Sequence, residues 1–245
     1  MIRQLEGFIK DIRIRKGVFL DIGSGYGRGL ESLTKFIPEA YIIGLDLNVN
    51  KLMVLKERIK APFIDVVYGD ASKVPIRNES IDLVSMFMTL HEIDIRIFDD
   101  VLGEVWRVLK GNKYFIVVDK VRDYLDTPAE KLTVLTEEAY HKAKKYVYGY
   151  QAYGVRNLKE IVSRITLHNF KLVNQKIIKY SEWISGREFV RRWGRETLSL
   201  YEKIIDRKRK EEIGKLINKI RVDSMKYGYG PVKALVILLM KSLGR

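Results

Sequence analysis

The run VFLDIGSGYGRG, residues 18–29, passes from an apolar, β-branched strand pattern through a glycine turn into a helix pattern. Gly23, Gly25 and Gly27 permit positive φ there and let a ligand approach the backbone closely. Two further carboxylates stand at the ends of the next two strand-like runs. Asp46 closes YIIGLD, 19 residues after Gly27, and Asp70 follows FIDVVY in YGDAS. With Asp21 they put three acids at three successive strand ends, along the sheet edge where open α/β folds bind ligands. An acid at position 46 is placed to bond both ribose hydroxyls. One at position 70 is placed to accept from an adenine amino group, with the Ala71 N–H donating to the ring. The plainer alternative for each is a strand-end Asp capping its own turn.

Two cofactor chemistries use such a turn. A dinucleotide puts its pyrophosphate on the helix N-terminus behind G-x-G-x-x-G. Here the glycines fall at 23, 25 and 27, and Arg28 holds the next position. Asp21, two residues before the first glycine, would repel a pyrophosphate and attract an ammonium group. S-adenosylmethionine carries an adenosine, a sulfonium and an amino acid but no phosphate, so Asp21 favours it.

The elements that must position these residues alternate through the first 120 positions. Strand-like runs fall at 18–22, 41–46, 63–68, 81–86 and 113–119, with helix-like segments at 27–36, 48–60 and 95–109. This alternation predicts a parallel sheet with helices on both faces. Beyond residue 120 the pattern predicts a helix over 128–147, the tyrosine–glycine loop YGYQAYG, and a helix from 158 to 168 capped by Asn157. A strand over 171–180, two helices within 186–226 and a final strand over 232–240 complete it. Without repeats or low-complexity tracts, residues 1–245 read as one domain with additions in the C-terminal half.

The chain has no cysteine, which removes disulfides, thiolate metal sites and cysteine nucleophiles. Three histidines, His91, His141 and His168, make a histidine-rich metal site an unfavoured reading, and no metal is expected. No apolar run approaches the roughly 20 residues of a spanning helix. Residues 1–13 mix charge into their apolar positions, so no signal peptide is expected and a cytoplasmic location is. Few glutamines and many charges fit a thermophile. The net charge of +14 is uneven: residues 1–120 hold 18 Lys/Arg against 17 Asp/Glu, residues 121–245 hold 27 against 14. The basic half, with ten of the fourteen tyrosines, is either a face for an acidic partner such as RNA or a set of solvated helices.

At this point the sequence resembles the class I S-adenosylmethionine-dependent methyltransferases. The resemblance is carried by LDIGSGYG (20–27), GLDLN (44–48), YGDAS (68–72), IDLVSMFMTLHEI (81–93) and EVWRVLKGNKYFIVVD (104–119). Gly111 and Asn112 stand where the family has Pro-Gly-Gly. The resemblance implies a three-layer α/β sandwich with a seven-stranded, mostly parallel sheet in the order 3-2-1-4-5-7-6. The seventh strand, here 233–240, would be antiparallel. It implies a cofactor site of Asp21, Gly23, Ser24, Gly25, Gly27, Asp46, Leu47, Asp70, Ala71 and Met86. It also implies that residues 120–157 and 181–230 form a lid on the acceptor side.

Methyl transfer needs alignment of donor and acceptor, and a base only where the acceptor must lose a proton. His91 has the ordinary pKa of a base, and Glu92 could orient it or the acceptor. Alternatively His91 packs on the following helix and Glu92 caps it. Tyr148, Tyr150 and Tyr153 are candidates to stack on a flat acceptor, or else form a core edge. Cytosine C5 methylation through a cysteine adduct is excluded, and the amino-group DNA methylation motif is absent. The expected acceptor is a small molecule, quinone-like or a lipid precursor. The alternatives are tRNA or rRNA, and a non-catalytic scaffold that binds the cofactor.

Overall fold

Seven runs of β-branched and aliphatic residues pair into one sheet in the order β3-β2-β1-β4-β5-β7-β6. The strands are β1 (Lys16–Ile22), β2 (Glu39–Asp46), β3 (Ile64–Tyr68), β4 (Ile81–Phe87), β5 (Leu109–Lys120), β6 (Phe170–Lys179) and β7 (Lys233–Lys241). The first five are parallel, and β7 runs antiparallel between β5 and β6. The expected strand order holds. The structure is a computed structural model and describes residues 16–37, 39–59 and 63–242. The leader reading of residues 1–13 lies outside the described residues.

Side chains alternate across the sheet with period two. Leu20, Ile22, Val84, Met86 and Val117 face one way, into a core closed by α3 (Phe98–Val108) and α5 (Leu158–Thr166). Phe19, Leu83, Phe87, Ile116 and Val118 face the other way, towards α1 (Arg28–Phe36) and α2 (Val49–Arg58), which contribute Leu30 and Leu55. Every residue of β4 is buried, as befits a central strand covered on both faces. The switch in strand order lies between β1 and β4, and the glycine turn stands at its carboxyl end.

The later helices are α4 (Pro128–Tyr148), α6 (Gly186–Arg192), α7 (Arg195–Lys203) and α8 (Arg207–Tyr227). They bury Ala143, Leu200, Ile204, Ile213 and Ile217 in one cluster and Ala139, Phe189 and Ile220 in another. Thr127 and Glu130 form a capping box at the start of α4, and Asn157 and Glu160 form one at α5, where the cap was expected.

The expected pair of helices over 186–226 is three. Trp193 leaves helical geometry at ψ 148°, and Gly194 at φ 102° starts α7. A second break at 204–206 ends where the Asp206 side chain accepts from Arg209 N at 2.8 Å. The apolar spacing of the segment conceals both breaks, because each helix keeps its own buried stripe. Strand β5 starts at Leu109, four residues earlier than expected. Asn112 sits there at φ 57°, and the pairing with β4 shifts register between Ile81 and Leu83.

Candidate active site

The glycine turn is fixed to the neighbouring strand by its own backbone. The N–H groups of Gly23 and Ser24 both donate to Leu45 O, at 2.8 and 3.0 Å, and Gly25 N donates to Asp46 Oδ2 at 2.8 Å. Gly23, Gly25 and Gly27 have φ of 70°, 50° and 79°. A Cβ on Gly23 would fall 2.3 Å from Thr89 Cγ2, and one on Gly27 would fall 2.8 Å from Ile59 Cδ1. On Gly25 a Cβ would meet nothing nearer than Gly23 O at 3.9 Å. Gly23 and Gly27 are therefore glycines because protein packs on them, whereas Gly25 forms the open lip of the turn.

The three strand-end carboxylates line up beside this turn. Asp21 is buried and accepts from Ser85 Oγ at 2.6 Å. Burial, aided by the nearby charge of Asp46 and opposed by the Ser85 hydrogen bond, pushes its pKa up to about 7. Asp46 also accepts from Asn48 N through Oδ1 at 2.8 Å. Its carbonyl accepts from Gly69 N at 3.2 Å, which joins the end of β2 to the end of β3. Asp70 Oδ1 accepts from Ser72 N and Ser72 Oγ, both at 2.8 Å. Ser24 is buried, Ala71 half-buried against the core, and Leu47 is 62% exposed. This donor set fits S-adenosylmethionine: a buried acid for an ammonium, a turn-bound acid for ribose, a third acid and the Ala71 amide for adenine.

Met86 departs from the expected set. It is fully buried in mid-strand, opposite Val117, so its side chain belongs to the core beneath the site. The tyrosines also separate. Tyr153 is buried and stacks on Phe98 at 4.1 Å, a core role rather than an acceptor wall. Tyr148 is 61% exposed at the end of α4, where its hydroxyl meets Lys203 Nζ at 3.3 Å. The Tyr150 ring is turned towards Glu92: Lys144 Nζ sits 4.0 Å over that ring and 3.2 Å from Glu92 Oε2.

That segment is a 3-10 turn, Leu90–Glu92, just beyond β4. The tyrosine–glycine loop is laid along it, with Gly154 N donating to His91 O at 3.0 Å, Tyr153 N to Ile93 O at 2.6 Å and Ile95 N to Gln151 O at 2.8 Å. His91 is buried and its Nδ1 meets Asp119 Oδ1 at 2.5 Å, while its backbone N–H donates to Asp119 Oδ2 at 3.1 Å. Burial opposes the charged ring, but Asp119 outweighs it and raises the His91 pKa. Glu92 does not cap the next helix, which begins at Phe98 behind Ile97. It faces His141 Nε2 at 3.3 Å instead. Burial works against its charge, yet His141, His91 and Lys144 together hold its carboxyl well below the usual range.

Sequence reasoning missed Ser85, Thr89, Asp119, Glu137 and His141. Thr89 Oγ1 donates to Gly23 O at 3.2 Å and Asp119 orients His91. Glu137 and His141 are spaced i, i+4 on one helix, a spacing that shares a face and was the available signal. A cleft of about 710 Å³ along α4 and α8, lined by Arg122, Pro128, Leu132, Leu135, Lys219 and Asp223, contains none of the candidate residues.

Residues 20–117 match the family model described as a methyltransferase domain. The phthiotriol/phenolphthiotriol dimycocerosates methyltransferase of Mycobacterium tuberculosis is 36% identical over 100 residues, 41% of this chain and 36% of that protein. The match therefore spans little more than a third of that relative's length. Among solved structures, a SAM-dependent methyltransferase from Methanosarcina mazei superposes with a TM-score of 0.61 at 15% identity, covering 97% of this chain and 98% of that one. A phosphoethanolamine N-methyltransferase 2 of Haemonchus contortus, solved with phosphomonomethylethanolamine and S-adenosylhomocysteine, gives a TM-score of 0.57 at 18% identity over 98% of this chain and 53% of that one. Over residues 20–117 the chain is thus similar to a methyltransferase domain, and its strand order is the one that the resemblance to the class I S-adenosylmethionine-dependent methyltransferases implied.

Proposed function

We propose that this protein transfers the methyl group of S-adenosylmethionine to a small-molecule acceptor, quinone-like or a lipid precursor. The observation that carries the reading is the row of Asp21, Asp46 and Asp70 around a glycine turn whose Gly25 edge is open. Bound there, the cofactor supplies an activated methyl group on a sulfonium. Asp21 takes the ammonium, Asp46 the ribose hydroxyls, and Asp70 with the Ala71 amide the adenine. His91, oriented by Asp119, stands beyond the end of β4 to take a proton from the acceptor where one must leave. Residues 120–157 and 181–230 act as the acceptor lid, and Tyr150 is its aromatic wall. The Mycobacterium and Haemonchus proteins are named for phthiotriol dimycocerosates and phosphoethanolamine, which supports an acceptor that is not a polymer.

RNA is the second reading, on the basic C-terminal half. Many of those cations are already matched. Arg192 pairs with Glu188 at 2.8 Å, Lys215 with Glu211 at 2.9 Å, Lys219 with Asp223 at 2.7 Å and Lys210 with Glu202 at 3.3 Å. Interleaved acids weaken the field a phosphate backbone would feel. The test incubates the protein and labelled S-adenosylmethionine with source-cell extract, then separates organic-soluble, aqueous small-molecule and RNA fractions. Label in either small-molecule fraction is expected. Label in RNA, with tRNA binding that weakens steeply with salt, overturns the acceptor assignment. Tight cofactor binding with no label anywhere favours the scaffold.

A further inference from the structure

Four side chains converge where the 3-10 turn after β4 meets α4. His91 Nε2 lies 3.8 Å from Glu92 Oε1 and 3.7 Å from Glu137 Oε2. His141 Nε2 lies 3.3 Å from Glu92 Oε1 and 3.9 Å from Glu137 Oε2. One ligand-type atom from each of the four falls within 4.8 Å of all the others. Around a single ion with metal–ligand distances near 2.1 Å, tetrahedral ligands stand roughly 3.4 Å apart. The four histidine–carboxylate separations, 3.3–3.9 Å, stand near that spacing, and the remaining pairs, within 4.8 Å, close around the ion by side-chain rotation. The His141 side chain is 11% exposed, and its Nε2 is buried without a hydrogen-bond partner. An orphaned buried imidazole nitrogen aimed at two carboxylates asks for something between them.

The surrounding groups orient the four as outer partners orient metal ligands. Asp119 takes the far nitrogen of His91 at 2.5 Å, which turns Nε2 inward. Lys144 holds the outer oxygen of Glu92 at 3.2 Å, and Lys120 holds the outer oxygen of Glu137, so each carboxylate presents its other oxygen to the histidines. With two imidazoles, two carboxylates and no thiolate, the set suits a divalent transition-metal ion such as zinc, manganese or iron(II).

We propose that His91, Glu92, Glu137 and His141 bind one divalent transition-metal ion, and that this ion receives a hydroxyl oxygen of the acceptor. The second half rests on the methyltransferase reading and replaces its proton-acceptor role for His91, whose Nε2 is then a ligand and whose Nδ1 stays on Asp119. Coordination lowers the hydroxyl pKa, so its proton leaves to solvent. The oxygen then forms a bond to the methyl carbon as the carbon–sulfur bond breaks, and the electron pair stays on sulfur as a neutral thioether. The acceptor class would then be oxygen nucleophiles, O-methylation rather than N- or C-methylation.

The test uses the full chain stripped with a chelator. It is titrated with cobalt(II), zinc and manganese, followed by calorimetry and, for cobalt, by visible d–d absorption. S-adenosylhomocysteine binding is measured in parallel. One equivalent of metal is expected, with tetrahedral or five-coordinate cobalt bands. His141→Ala should weaken binding on the order of 100-fold and Asp119→Asn by about 10- to 100-fold, with S-adenosylhomocysteine affinity unchanged in both. No stoichiometric binding of any of the three metals, or binding that His141→Ala and His141→Gln leave intact, overturns the site. Metal binding that depends on His141, without S-adenosylhomocysteine binding, upholds the site and overturns the cofactor reading. Methyl transfer that survives complete metal removal overturns the acceptor-activation half.

Discussion

The backbone N–H of Gly25 donates to Asp46 Oδ2 at 2.8 Å, and the other oxygen of the same carboxylate takes the N–H of Asn48, also at 2.8 Å. One half-buried side chain thus holds the lip of the glycine turn and the start of α2. A charged hydrogen bond contributes about 1.5–3 kcal/mol. Asp46→Ala should therefore weaken S-adenosylhomocysteine binding by roughly 10- to 100-fold, read by calorimetry. Asp46→Asn keeps an acceptor for Gly25 and should lose less. An unchanged Kd in Asp46→Ala would remove Asp46 from the cofactor site.

The raised pKa of Asp21 makes cofactor binding depend on pH. The folded chain holds this proton up to about pH 7, whereas an unfolded aspartate releases it near pH 3.9. The unliganded protein should accordingly lose stability as pH rises from about 4 to 7, with no further loss from this group above that. An ammonium requires the ionised acid, so binding expels the proton. Affinity for S-adenosylhomocysteine should tighten up to about tenfold per pH unit below 7 and then level off. Asp21→Asn should bind weakly and flatten the profile. A wild-type Kd constant from pH 5.5 to 7.5 would refute ammonium recognition by Asp21.

Gly23 and Gly149 have nearly the same φ, 70° and 68°, in different surroundings. A Cβ at Gly23 strikes Thr89, and one at Gly149 meets nothing within 4 Å. Gly149→Ala should cost only the left-handed backbone term, about 1–2 kcal/mol. Gly23→Ala adds a collision with the residue that tethers the turn to β4, and should cost more in urea unfolding. Equal losses would mean that Thr89 yields freely.

The tyrosines of the 148–153 segment divide in the same way. Tyr153→Ala removes a buried ring stacked on Phe98 and should cost about 3–5 kcal/mol. Tyr148→Ala, at an exposed position, should stay within about 0.5 kcal/mol of wild type. Chemical denaturation of both variants checks this. A large loss at Tyr148 would show that its contact with Lys203 anchors the end of α4.

Local pattern in the sequence settles the sheet and the donor side of the site. The first three strand runs, the turn glycines and the acids Asp21, Asp46 and Asp70 all lie within the first 70 residues, and each acid stands within two residues of the end of its own strand. Strand ends in a parallel sheet share one edge, so placing the strands places the carboxylates. The acceptor side obeys no such rule. Asp119 reaches His91 across 28 positions, and Glu137 and His141 arrive on a helix some 45 residues downstream. No periodicity in the chain records that the turn after β4 and one face of α4 meet. The same holds for Tyr153 and Met86: their residue types suit a binding wall and a core equally, and burial alone decided between them. Contacts between elements distant in sequence are set by how helices pack over the sheet. The cluster of His91, Glu92, Glu137 and His141 therefore exists only once the fold has formed.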